Sequence, residues 1–343
     1  MRISSTHCRL KIRMLPTKST AGRNFRSLQP TLTCSEAYVP YLPYLPYLLY
    51  RNMKFRTEID TDCKLKGAVD LNQSLVMLGS CFTTNIGEIL LQGGFNVSVN
   101  PFGTLYNPLS IETSISNTLS LRRYTDADLV KDSRGIWHCL DFHSAFSSDN
   151  PVQMLERINA AIQQSHERVR SCDWMIITLG TSYVYKWKVS GKVVANCHKL
   201  HPDCFKRMLM SPLEVEESMG RLIQRVRAVN PAVKFIFTIS PIRHKADGLH
   251  ANQVSKSGLM LAIDNIVRRM DDAVYFPAYE IMMDDLRDYR FYDDDMVHPS
   301  KVAIRYIYDV FSEMYMSEKT INQCRLNVKA ALRQLHRPII ELI

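Results

Sequence analysis

The sequence predicts an α/β protein, a three-layer α/β/α sandwich built on a mostly parallel sheet. Three observations carry this. Short, near-continuous apolar runs recur along the chain at residues 75–78, 174–179, 234–239 and 274–276. Segments with helical apolar spacing separate them. Small or polar residues close the runs, as at Gly79-Ser80, Gly180-Thr181-Ser182 and Ser240-Pro241. Strands that are apolar throughout are buried on both faces, which requires helices on both sides of a parallel sheet.

The elements follow in order. The run at 75–78 ends at Gly79-Ser80, and Ile86, Ile89 and Leu90 then recur at i, i+3 and i+4, so a helix follows until Gly93-Gly94 stops it. Residues 95–99 alternate as a second strand. Residues 155–169 read as a helix and 174–179 as a buried strand. Tyr183, Tyr185 and Trp187 alternate and read as the first arm of a packed hairpin turning at Ser190-Gly191. A helix at 213–229 precedes the strand at 234–239. Arg243, Asn252, Ser255 and Lys256 then fall in what reads as a solvated polar loop, with the next helix at 259–270. A strand at 274–276 and helices at 301–316 and 319–336 complete the chain. In such sheets ligands bind beyond the carboxyl ends of the strands.

The first 52 residues do not share this pattern. Eight basic residues and a single acid, Glu36, give them +7 of the chain's net +9, which leaves the remainder near neutrality. A near-neutral domain has no electrostatic footprint for nucleic acid. Pro40, Pro43 and Pro46 recur every third residue, which suits a polyproline II segment and excludes helix. The expectation is a disordered or non-native extension over 1–52, a domain over 53–343 with Met53 as the natural start, and no secretory signal. No apolar run reaches membrane-spanning length, so no membrane partner is expected. Nine cysteines, an odd number without a CxxC pair, favour free thiols in a reducing compartment and a cytoplasmic location.

The chemistry concentrates at two places. Ser80 stands at a strand end with a helix opening behind it, where first-turn N–H groups can face developing negative charge. A simple helix N-cap would explain the same serine. Cys81 is a rival nucleophile, but its apolar neighbours read it as a buried structural thiol. Near the other end, Asp295 lies three residues before His298, so a tight turn can bring carboxylate and imidazole together. That pair suits a general base oriented by an acid. A solvated acidic turn would also account for it. Cys197, His198, His201 and Cys204 are close in sequence, but their spacing fits no zinc knuckle, and neither metal nor cofactor is expected. His143 reads as a structural histidine.

The combination is more specific than its parts. Ser80 follows the first apolar strand and Asp295-x-x-His298 the last, the chain order of lipase-like SGNH hydrolases. The sequence resembles the GSCFA family, whose name motif stands here as Gly79-Ser80-Cys81-Phe82-Thr83, with Thr83 where the family has alanine. Residues 100–108, 178–181, 195–199, 240–244, 286–292 and 295–299 extend the resemblance. It implies an SGNH/flavodoxin-like α/β/α fold and acyl-ester chemistry, with Ser80 as nucleophile, His298 as base and Asp295 as its orienting acid. Here Ser80 follows Gly79 directly, without the Asp of the GDSL block. Related hydrolases add a loop Gly and an Asn to the oxyanion hole. Gly103 is the candidate for the first, and Thr181 or Asn196 for the second. His198, Arg243, His244, Asn252 and Lys256 are candidate substrate-binding residues. The expected function is a serine esterase or O-acyl transferase acting on a small acyl ester, carried on a small molecule or carbohydrate. A catalytically silent ligand-binding protein on the same fold is the alternative.

Overall fold

The computed structural model describes residues 56–335. The boundary expected at residue 53 and the proline-rich stretch lie outside the described residues. Five strands form the central sheet: β1 (Ser74–Gly79), β2 (Asn96–Val99), β3 (Trp174–Leu179), β4 (Lys234–Ile239) and β5 (Ala273–Phe276). Their spatial order is β5-β4-β3-β1-β2, and every pairing is parallel. The chain therefore runs outward from β1 to β2, then returns across β1 to build the other half. The order reverses between β1 and β3, and a crevice opens at the carboxyl end of such a switch point.

Strand periodicity sends alternate side chains to opposite faces. Val76 and Leu78 pack with Ile111, Ile158, Leu222 and Leu259. These belong to the helices α2 (Pro108–Leu119), α3 (Pro151–Ser171), α4 (Pro212–Val229) and α5 (Leu249–Arg268). Leu75 and Met77 face the other way and pack with Phe82, Ile86, Ile307 and Phe311. These come from α1 (Cys81–Gln92) and α6 (Lys301–Tyr315), and α7 (Glu318–Leu335) adds Cys324. The result is the expected three-layer α/β/α sandwich.

Helix starts are chemically marked. Asn107, Asn150, Ser211 and Ser300 cap α2, α3, α4 and α6 through side-chain oxygens, and proline opens the first three. The hairpin expected at 183–187 forms, pairing antiparallel with Val193–Val194, and Phe205–Leu209 adds a third strand on its other side.

Two helices depart from the sequence reading. Of the polar stretch read as a solvated loop, Arg243 does lie outside helix, but Asn252, Ser255 and Lys256 fall in the first two turns of α5, which begins at Leu249, and are buried. The periodicity is hidden because those turns bury polar groups under the site. Helix α2 has no counterpart in the sequence reading. Its buried face carries Ser110, Glu112, Ser114 and Thr118, and Glu112 accepts from Ser218 and Arg221 of α4 at 2.7 Å each.

Candidate active site

The site begins where β1 ends. Gly79 has φ 145°, and a Cβ there would lie 2.2 Å from the Thr178 carbonyl oxygen of β3, so only glycine fits. Its N–H donates to Asn100 Oδ1 at 2.9 Å, and Asn100 Nδ2 donates to Thr84 Oγ1 at 3.0 Å. Asn100 thus ties the end of β1 to α1.

Ser80 is the N-cap residue of α1, with extended backbone, but its side chain caps nothing. The hydroxyl, 2% exposed with its residue, instead donates to Ser240 Oγ at 3.0 Å. Ser240 follows β4, so this bond spans the carboxyl ends of the sheet. Behind it Lys256, fully buried on α5, donates from Nζ to the Ser240 carbonyl at 2.6 Å. Burial lowers the Lys256 pKa to about 7.

The second component is the turn before α6. His298 Nδ1 lies 2.5 Å from Asp295 Oδ2, while Asp295 Oδ1 accepts the N–H groups of His298 and Val297 at 2.9 and 2.8 Å. Met296, at φ 57°, supplies the tight bend. The His298 backbone N–H, followed by its ring and the Val297 N–H, holds the Asp295 carboxyl down to about 2. With Nδ1 engaged, Nε2 is the nitrogen left for proton transfer.

His298 lines a cleft of about 500 Å³ together with Cys81, Tyr106, Asn107, Asn196 and Arg243. Ser80 is the chain neighbour of Cys81, is buried and does not itself line this cleft; its hydroxyl is bonded to Ser240 rather than to His298. Cys81 differs from its sequence reading: it is half-buried and lines the cleft. Burial nevertheless raises its thiol pKa, which disfavours the thiolate.

The expected oxyanion donors differ in their surroundings, and of Gly103 and Thr181 only Thr181 lines the cleft. Gly103 donates its N–H to the Asn100 carbonyl at 2.8 Å, and its φ of 76° lets the turn pass against His143. Thr181 donates its N–H to the Tyr106 carbonyl at 3.0 Å, and its hydroxyl is shared with Ser255 and the Tyr183 N–H. Both are committed to structure. Asn196 Oδ1 accepts the His198 N–H at 2.8 Å, and its Nδ2 has no partner among the described residues. The sequence reading missed Asn107. Its Oδ1 caps α2 through the Ser110 N–H at 2.8 Å, which leaves Nδ2 without a partner among the described residues. Asn before Pro at a helix start was the available signal.

The candidate substrate residues divide. Arg243 and His244 line the cleft, and burial lowers the His244 pKa to about 4. Asn252 stands behind them, with Oδ1 accepting the His244 N–H at 2.9 Å. Lys256 is beneath Ser240, away from the surface. His198 is also behind the wall, stacked on His138 at 4.6 Å between ring centroids and set 3.0 Å from the Cys139 carbonyl. His201, by contrast, is exposed and accepts the Asp203 N–H.

Several solved structures resemble the fold at low identity. A family 3 carbohydrate esterase of Clostridium thermocellum is 11% identical over 74% of this chain and 98% of that one, with a TM-score of 0.35. An alpha/beta hydrolase enzyme from the metagenome of Lake Arreo, Spain, is 9% identical over 72% and 96%, with a TM-score of 0.40. A carbohydrate esterase family 2 enzyme plus carbohydrate binding domain from Corynascus thermopiles (Myceliophthora fergusii) is 15% identical over 44% of this chain, with a TM-score of 0.28. The match spans 38% of that last protein. No curated protein sequence matches the chain. The family model that matches is that of the GSCFA family, over residues 74–311, most of the chain and the whole span from β1 through the Asp295–His298 turn into α6: the chain belongs to the GSCFA family.

Proposed function

We propose that this chain is a serine-type ester hydrolase or O-acyl transferase acting on a small-molecule or carbohydrate ester. The observation that carries the reading is the pairing of two features at the sheet's switch point. Ser80 presents a hydroxyl that caps no helix, and an imidazole already oriented by a carboxylate lines the same cleft as Cys81, the next residue after Ser80.

The steps follow from these groups. In this reading the Ser80 hydroxyl leaves Ser240 and engages His298 when substrate binds. Such contacts often tighten only in the substrate complex. Ser80 Oγ attacks the ester carbonyl while His298 Nε2 takes its proton, and Asp295 balances the imidazolium that forms. The side-chain amides of Asn107 and Asn196 are the donors available to the tetrahedral oxyanion. Collapse expels the alcohol, protonated by His298, and leaves an acyl-serine. Water or an acceptor hydroxyl then attacks that ester, with His298 again as base.

A second reading, a ligand-binding protein without turnover, is favoured by one observation: the Ser80 hydroxyl is held by Ser240. A fluorophosphonate probe separates the two. Wild-type labelling that disappears in Ser80→Ala and falls by about a thousandfold or more in His298→Ala supports the enzyme. A folded wild type that stays unlabelled while binding esters supports the second reading.

A further inference from the structure

A second cavity, of about 470 Å³, adjoins the cleft and shares Arg243, Lys245 and Val297 with it. Val297 immediately precedes His298, so the cavity starts at the side of the proposed base. Its character differs from that of the cleft. Leu249, Met282, Met283, Met296 and Val297 line it, with Tyr289 and Tyr292. Arg287 and Asp288 complete the rim.

Three further observations mark it as a binding surface. Leu249, Tyr289 and Met296 are 64%, 72% and 51% exposed, so large apolar side chains stand in water together along one groove. Clustered exposure of this kind marks interaction sites, whereas scattered exposed apolar residues do not. Second, Met282 and Met283 come from a π-helical turn, Ile281–Leu286, an uncommon geometry that recurs at functional sites. Third, thioether side chains adapt to flexible apolar ligands.

We propose that this groove is the acyl-chain subsite, and that the chain prefers esters of unbranched medium-length acids over acetyl esters. This rests on the serine-ester reading and assigns its acyl side. The groove's continuity with the cleft at Arg243, Lys245 and Val297 makes an ester substituent its occupant, and its Met-rich apolar lining fits an alkyl acyl chain. The cationic Arg243 and Lys245 stand where the cavities meet, beside the ester's polar end, and the Met-rich part lies beyond them.

The test compares 4-nitrophenyl octanoate with 4-nitrophenyl acetate, and octyl acetate with ethyl acetate. Buried methylenes contribute enough that kcat/KM should rise about tenfold or more from acetate to octanoate, even in a groove open on one side. Leu249→Asp and Tyr289→Asp, both at exposed positions outside the Asp295–His298 turn and checked for folding by thermal melting, should lower the octanoate-to-acetate ratio about fivefold or more. Equal or lower kcat/KM for octanoate overturns the proposal, as does a gain confined to octyl acetate, which would place the alcohol in the groove. Calorimetry of methyl octanoate and methyl acetate with Ser80→Ala reads the groove without turnover. Tighter binding of methyl octanoate, lost in the Leu249→Asp background, supports it even if no ester is cleaved, an outcome that would sink only the serine reading. Cleavage of 4-nitrophenyl acetate with no binding advantage for methyl octanoate would sink the groove alone.

Discussion

Asp295 divides its two oxygens between two tasks. Oδ1 holds the turn through the backbone N–H groups of Val297 and His298, and Oδ2 holds the ring through Nδ1. Asp295→Asn separates them. An asparagine can keep Oδ1 on the backbone, but it places an NH2 group where the Nδ1 proton is accepted. The imidazole must then carry its proton on Nε2, the nitrogen that has to act as base. A fall in kcat of about 10³–10⁴ on an aryl ester is expected, with unchanged melting temperature. A loss below about tenfold would mean that Asp295 only shapes the turn. The wild-type carboxylate, held down to about 2, keeps this contact from neutral pH to below the ordinary carboxylate range and loses it as pH falls through about 2. Activity lost between pH 7 and 5 therefore does not come from Asp295. These residues were legible in the sequence because the motif and the chain order frame them. Ser240 and Asn107 were not, since what defines each is a contact: Ser240 with Ser80 across 160 positions, and Asn107 with an open cleft.

At the scale of elements, legibility follows the burial of apolar side chains. The strands at 174–179 and 234–239 match their sequence reading residue for residue, because each is apolar or Thr along most of its length and buried on both faces. Helices α2 and the start of α5 were hidden by polar residues on their buried faces, which pattern reading assigns to solvent. The loop carrying Asn196 and Cys197 was legible only as a stretch of reactive side chains. The structure gives it an internal anchor: His198 and Lys199 take left-handed backbone in succession, and the His198 ring is buried against Cys139 and His138. His198→Ala leaves the Cys139 carbonyl without this donor and opens a void beside His138. A loss of about 1–3 kcal/mol is expected in denaturant unfolding. Amide hydrogen exchange should quicken through residues 195–200 and not in β3. Uniform change across the molecule would show that the ring is ordinary core and does not anchor the wall.

For the whole molecule, the reversal of strand order places β1, β3 and β4 side by side and gathers Ser80, Thr181 and Ser240 at one end. That arrangement also encloses Lys256, and the enclosure links fold stability to pH. Among the described residues its ammonium donates to one acceptor, the Ser240 carbonyl, and burial lowers its pKa from 10.5 to about 7. The unfolded chain keeps that lysine protonated up to about 10.4. Between pH 7 and 8 the unfolded state therefore binds more protons at this lysine than the native state, and stability rises with pH wherever that holds. The size approaches 1.4 kcal/mol per pH unit once the native amine is mostly neutral, or about 1 kcal/mol from pH 7 to 8. His198 and His244, lowered to about 4 by burial, add a small contribution of the same sign near pH 7. The thiols of Cys81, Cys139, Cys172, Cys197 and Cys324, raised by burial, oppose the trend once the unfolded thiols ionise at about 8.5, so the window closes at pH 8. Urea unfolding at pH 7, 7.5 and 8 should show the rise in wild type and a flatter profile in Lys256→Met. A wild-type stability that is flat or falls across the window would mean that Lys256 stays charged in the fold, with a counter-charge or water reaching it.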